Sequence, residues 1–345
     1  MVETDDRVQA CHWMLLRLAG WVSDGLLTQA RQWLAQGRLT DVALSVAHAV
    51  GAARVEMNET DLALLIELHS PEDQTLARLS SVVTTDPEPL PVFGFAPAPP
   101  APSAVAEPVA EAVAEAMATA AAGEPGLRGV WRSWRFPADG APWPPPRQVF
   151  VVETDEGTDL VAVTGRLQAA LAAAGEVDPQ VETYPTQAIP PGYQQLARSG
   201  GSLLCARTPD PGVRIAAVFD GVDAQAGPRL NPDHPTIDDD ERDLLLAYLG
   251  NGELLLETTS GMADVRDPDA GAVVPINFRT DGYWIWNDAT TYYLYRYSLA
   301  PEPDLLRHIR ARQYVFEEVD GAAMHRALAA LEAPVDEEPV WVLGQ

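Results

Sequence analysis

The chain has 345 residues and carries 50 acidic side chains against 23 basic ones, a formal net charge of −27. Hydrophobic residues at 47% and charged residues at 21% mark a folded chain, long enough for two domains with a core each. The charge excludes a nucleic-acid backbone, which needs basic groups to displace counterions; it opposes docking on anionic lipid and favours encounter with a basic protein partner.

From Asp5 to Val83 the pattern is helical. Val8, Cys11, Leu15, Leu18 and Val22 recur at spacings of three and four, the stripe of an amphipathic helix. Ser23-Asp24 supplies the cap of a second helix that closes at Gly37, and Thr40 or Asp41 starts a third that ends at Gly51. Asn58, followed by Glu59 and Asp61, opens a fourth, and a further helix is expected after Pro71, around Leu76 and Leu79. These short helices predict a compact bundle over residues 1–86.

Residues 87–127 read as a linker. The stretch DPEPLPVFGFAPAPPAPS offers little to bury and favours extended polyproline conformations, and an Ala-rich run with Glu at four-residue spacing follows as a marginal helix within the tether. From residue 128 strands and helices alternate. QVFVVE (148–153) is a buried strand, 159–174 an amphipathic helix stopped by Gly175, and 181–184 a short strand. A helix is expected over 193–205, a strand over 214–219, a helix with an acidic start over 238–249 and a strand over 253–258. VPINFRT and YWIW flank Asp281-Gly282, the signal of a two-residue hairpin, and three helices follow Asn287-Asp288, Pro303-Asp304 and Asp320-Gly321. The expected fold is α+β or α/β: an N-terminal helical bundle, a Pro/Ala linker, and a mixed-sheet domain over 128–345 that ends in a hairpin and helices.

Every basic residue is Arg, which together with the abundant Ala, Pro and Gly points to GC-rich coding. Cys11 and Cys205 lie far apart in apolar stretches read as helical, so buried free thiols are expected rather than a disulfide. Glu3, Asp5 and Asp6 have the wrong sign for a secretory leader, and no apolar run approaches the roughly 20 residues of a membrane span, so the expectation is a cytoplasmic protein without membrane insertion.

Motifs for common chemistries are missing. The turn after QVFVVE is TDEGTD, acidic where a dinucleotide loop needs glycines, and no cofactor is expected. The chain has no GxSxG, and its histidines never fall in HxH or HExxH spacing. The acidic stretch from Asp220 onward is the one candidate for catalysis: Asp220, Asp223, Asp233 and His234 could hold a divalent ion that activates water, although Asp238 to Glu241 also complements a helix dipole. The hairpin and the helix after it hold the densest aromatic cluster. Tyr283, Trp284, Trp286 and Tyr293 serve either as core or as interface anchors, with Arg279 and Asp281 beside them.

The string FRTDGYWIWNDATTYYLYRYSLAPEPDLLRHIR, with its DGxWxW, YYL helix and later HIR, resembles the C-terminal segment of uncharacterised proteins of GC-rich bacteria of the toxin–immunity and conflict-system type, over roughly the last fifth of the chain. The resemblance implies an interaction role and brings no catalytic residue with it. The leading expectation is a non-enzymatic interaction module, immunity-like or adaptor. Its acidic α/β domain would bind a basic protein partner, and its bundle would be available for homo-oligomerisation or assembly. A divalent-metal-dependent hydrolase or transferase using residues 220–240, and a structural component of a larger assembly, are the alternatives.

Overall fold

The structure, a computed structural model, describes residues 2–69, 79, 82–85, 92–100, 107–141, 143–223 and 227–333. The helix expected after Pro71 lies outside these, apart from the buried Leu79. Helices and mixed sheets make an α+β chain, and backbone contacts divide it into two units, 1–208 and 209–345. The expected boundaries at 86 and 127 therefore do not coincide with the units, for reasons visible in the first.

In that unit α1 (Val2–Arg17), α2 (Asp24–Ala35), α3 (Leu39–Ala53) and α4 (Glu59–Glu67) form the expected bundle. Ser23 caps α2 by accepting from Leu26 N, and Asn58 caps α4 by accepting from Asp61 N at 2.7 Å. Asp61 also receives Arg17 through two hydrogen bonds of 2.7 and 2.6 Å, which ties α1 to α4. The third helix runs through Gly51 to Ala53 and stops only where Arg54 turns left-handed, at φ 55°. A glycine weakens a helix interior by about 1 kcal/mol without necessarily ending it.

The segment read as a tether contributes two elements to the sheet layer. β1 (Phe93–Ala96) pairs antiparallel with β2 (Leu127–Pro137), and α5 (Glu107–Ala122) buries Val113, Met117 and Ala121 against Leu127, Val130 and Phe150. Those three residues recur every fourth position, a stripe concealed by the Ala-rich composition around it. Gly94 is required in β1, because a Cβ there would stand 2.5 Å from the Phe136 ring.

β3 (Arg147–Thr154) pairs antiparallel with β2 and parallel with β4 (Gln180–Pro185), and α6 (Leu160–Ala173) makes the crossover. After α7 (Gly192–Ser199) the chain becomes strand β5 (Ser202–Ala206), which lies against β2, instead of the single helix expected over 193–205. Gly201 permits this approach, since a Cβ would meet the Arg132 carbonyl oxygen at 2.7 Å. Cys205 is thus a half-buried strand residue and Cys11 a fully buried helical one, both free thiols.

The bundle is part of the same unit as this sheet. Arg31 of α2 meets Glu182 of β4 at 2.6 Å with both side chains buried, His12 of α1 places Nε2 2.8 Å from the Thr183 carbonyl, and Gln194 of α7 donates to Leu16 O and to Glu182. Burial lowers the His12 pKa to about 4, with Arg31 acting in the same direction and the Thr183 hydrogen bond against it.

In the second unit a four-stranded sheet has the order β6 (Arg214–Ile215), β13 (Trp284–Asn287), β12 (Phe278–Thr280), β9 (Glu253–Leu256). The β6–β13 pair is parallel and the others antiparallel. The strand expected over 214–219 keeps only its first two residues. Two small ribbons, β7 (Gly221–Asp223) with β8 (Gly227–Arg229) and β10 (Gly261–Met262) with β11 (Val274–Pro275), complete the strands. Helix α8 (Asp239–Gly250) carries Leu245, Tyr248 and Leu249 into a core shared with Trp286 and Ile309. The last helices are α9 (Asp288–Tyr297), α10 (Pro303–Ala311) and α11 (Gly321–Glu332), with Asn287 and Asp320 capping the first and third as their sequence signals predict. No helix among the described residues is long and apolar enough to cross a membrane.

Candidate functional site

The β12–β13 hairpin turns one residue later than its sequence suggests. Thr280 faces Ile285, so the loop centres on Gly282-Tyr283, with Gly282 at φ 83°. The shift takes Asp281 out of the centre of the turn to the position just past the end of β12, where it is 6% exposed. There its carboxylate accepts four hydrogen bonds: from Tyr248 Oη at 2.6 Å, from His308 Nε2 at 2.7 Å, and from the backbone N–H groups of Tyr283 and Trp284 at 2.9 and 2.8 Å. Burial alone would raise its pKa. The His308 and Tyr248 bonds and the two N–H groups outweigh burial and hold the carboxyl below its ordinary value. The same contact costs Tyr248, whose phenol is pushed up by burial and then by the Asp281 charge.

His308, oriented by this buried carboxylate, lines an open cleft of about 340 Å3 with Arg214, Tyr283, Trp284, Asp304 and Arg307. Arg214 lies 5.6 Å from the Trp284 ring centre, and Arg312 covers Tyr283 at 4.6 Å. Asp304 bonds Arg307 at 2.7 Å and stands 3.8 Å from Arg214. Apart from the Tyr283 phenol, the lining has no hydroxyl or thiol, so the Asp281–His308 pair lacks the nucleophile that an acyl-transfer triad requires.

The hairpin residues expected as partner anchors divide by burial. Tyr283 is 44% exposed at the cleft, whereas Trp284, Trp286 and Tyr293 are core. Trp286 donates from Nε1 to Leu249 O, and Tyr293 accepts from Val265 N. Arg279 is an internal brace, donating to Asp288 at 2.8 Å and to Gly252 O at 2.9 Å. Two tyrosines of α9 serve a second buried carboxylate, Asp264, which accepts from Tyr292 and Tyr297 at 2.9 and 2.6 Å.

The metal reading is not supported by the geometry. Asp220 accepts from Asn231 N at 2.6 Å and faces Nδ1 of His234 at 3.0 Å, while His234 Nε2 lies 2.9 Å from Ala300 O. This pair lines a cavity of about 100 Å3, but Asp223 and Asp233 are exposed, and among the described residues no group of three or more His, Cys, Asp or Glu could hold a metal ion. Asp220 is engaged in fastening the chain after the β7–β8 ribbon. Neither His308 nor Arg214 stands out as a site residue in the sequence: His308 appears only within the HIR tripeptide of the quoted string, and nothing local marks Arg214.

No family model matches the chain, and comparison with curated proteins and with solved structures gives no match.

Proposed function

We propose that the chain is a non-enzymatic interaction module, immunity-like or adaptor in kind, whose second unit engages a basic protein partner. The observation that carries this reading is the N-terminal end of α8, where Asp238, Asp239, Asp240 and Asp243 are all exposed beside Leu244, itself half exposed. Asp238 is needed as the helix cap, and one or two further acids would satisfy the helix dipole. Arg242 pairs with Asp239 at 2.7 Å and stands 3.9 Å from Asp243, so the surplus charge rests on Asp240 and Asp243; in a chain of net charge −27 it speeds encounter with positive charge and is screened within a Debye length of about 10 Å at 0.1 M salt. Glu241 anchors this end of α8 to α10 through Arg310, at 2.6 and 2.9 Å, so the acidic face is held on packed structure.

Immobilised full-length protein should retain a basic protein from native lysate at low salt and release it at high salt. The triple variant D239N/D240N/D243N should retain it poorly while melting at nearly the same temperature. Equal retention by the variant would remove the acidic face from the contact, and retention of nothing by the parent chain would remove the reading itself.

A further inference from the structure

We propose that the cleft between β6, the hairpin and α10 binds a small organic anion, with its charged head on Arg214 and His308 and its apolar body against Tyr283 and Pro211. This goes beyond the acidic-face reading and does not depend on it. The cleft volume of about 340 Å3 lies at the low end of small-molecule sites and is too small for a helix or strand of a partner.

Arg214 and His308 each keep hydrogen-bonding capacity that no described residue uses. Arg214 approaches a carboxylate no nearer than the 3.8 Å to Asp304, and its guanidinium makes no hydrogen bond among the described residues. The guanidinium stands over the Trp284 ring, 5.6 Å from its centre, with its side chain largely exposed at the cleft, and a planar fork there is suited to two parallel bonds with a carboxylate or phosphate. His308 is fixed from behind: Nε2 donates to Asp281, whose side chain is 2% exposed, and Nδ1, which has no hydrogen-bond partner among the described residues, donates to an anion when the ring is an imidazolium paired with the Asp281 carboxylate.

The cleft already accommodates one anion. The Asp304 carboxylate sits between Arg307 at 2.7 Å and Arg214 at 3.8 Å, so an oxyanion fits between these guanidinium groups. With a net charge of −27 the protein repels anions at long range, so affinity here must come from direct contacts rather than steering. The apolar part of the lining (Tyr283, Trp284, Pro211 and Ala311) then selects an anion that carries a hydrophobic body over inorganic phosphate.

The test is titration of the full-length protein with benzoate, phenyl phosphate, inorganic phosphate and benzamide, read by calorimetry. Benzoate or phenyl phosphate should bind saturably, and the preferred one identifies the head group as carboxylate or phosphate. Neutral benzamide and inorganic phosphate should bind at least tenfold more weakly. R214A should weaken the preferred anion at least tenfold, and D304N, which removes the competing carboxylate, should tighten it several-fold. Equal binding of benzamide, an R214A affinity within twofold of the parent, or no tightening in D304N would each overturn the proposal, as would failure of both aromatic anions to saturate. If R214A does not fold, the D304N and benzamide results decide alone.

Discussion

His12 is held neutral where it lies. Its pKa falls from 6.5 to about 4 on burial, so the unfolded chain binds a proton in that interval that the folded chain does not. Stability contributed by the neutral ring is therefore complete above pH 6.5 and is lost as pH falls toward 4, a difference of about 3 kcal/mol from this one residue. Urea unfolding followed from pH 7 to pH 4 should show this slope, and H12Q, which retains a donor for the Thr183 carbonyl, should flatten it. An unchanged slope in H12Q would place the acid sensitivity elsewhere. The Cys11 thiol nearby is likewise raised, to about 12, by burial and then by the Asp61 charge, and so has almost no thiolate at neutral pH.

Between elements, the buried Arg31–Glu182 pair joins helix α2 to strand β4 at a cost. Arg31 Nε and Nη1 and Glu182 Oε1 find no protein partner, so desolvation is incompletely repaid. R31M or E182L alone should destabilise by about 3–5 kcal/mol, because each leaves a buried charge without its counterpart, whereas the double variant should recover most of the loss. Additive losses in the cycle would mean that the two side chains act separately. How far such elements were legible in the sequence follows from what fixes them. Helices with an oxygen-bearing cap, at Ser23, Asn58, Asp238, Asn287 and Asp320, begin where the cap predicts, since capping is a contact between near neighbours. Strands β1 and β5 were not legible, because each exists through β2, which is distant in sequence, and through a glycine that admits a neighbour's atoms. The site was legible in half. Tyr283 and Asp281 stood out in the hairpin, but whether each aromatic faces core or cleft is decided by the one-residue shift of the turn and by α10, neither of which has a local signature.

For the whole molecule the division at residue 208 has a direct consequence. The sheet of the first unit depends on α5 for Val113, Met117 and Ala121, and on α2 for the partner of Glu182. A fragment starting at residue 128 exposes that core and should aggregate or lose the cooperative unfolding of the sheet. Fragments 1–208 and 209–345 should each unfold cooperatively, because each retains its own buried clusters. A well-folded 128–345 sheet, seen as an unchanged near-ultraviolet spectrum from its tryptophans, would contradict this account of the first unit.

The most direct measurement is capture from native lysate by fragments 1–208 and 209–345, immobilised separately, once each has been shown to fold. Fragment 209–345 should retain the same basic protein as the full chain and release it as salt is raised, while 1–208 should retain none of it. Retention by 1–208 alone, or retention by 209–345 that salt does not weaken, would contradict the acidic-face reading.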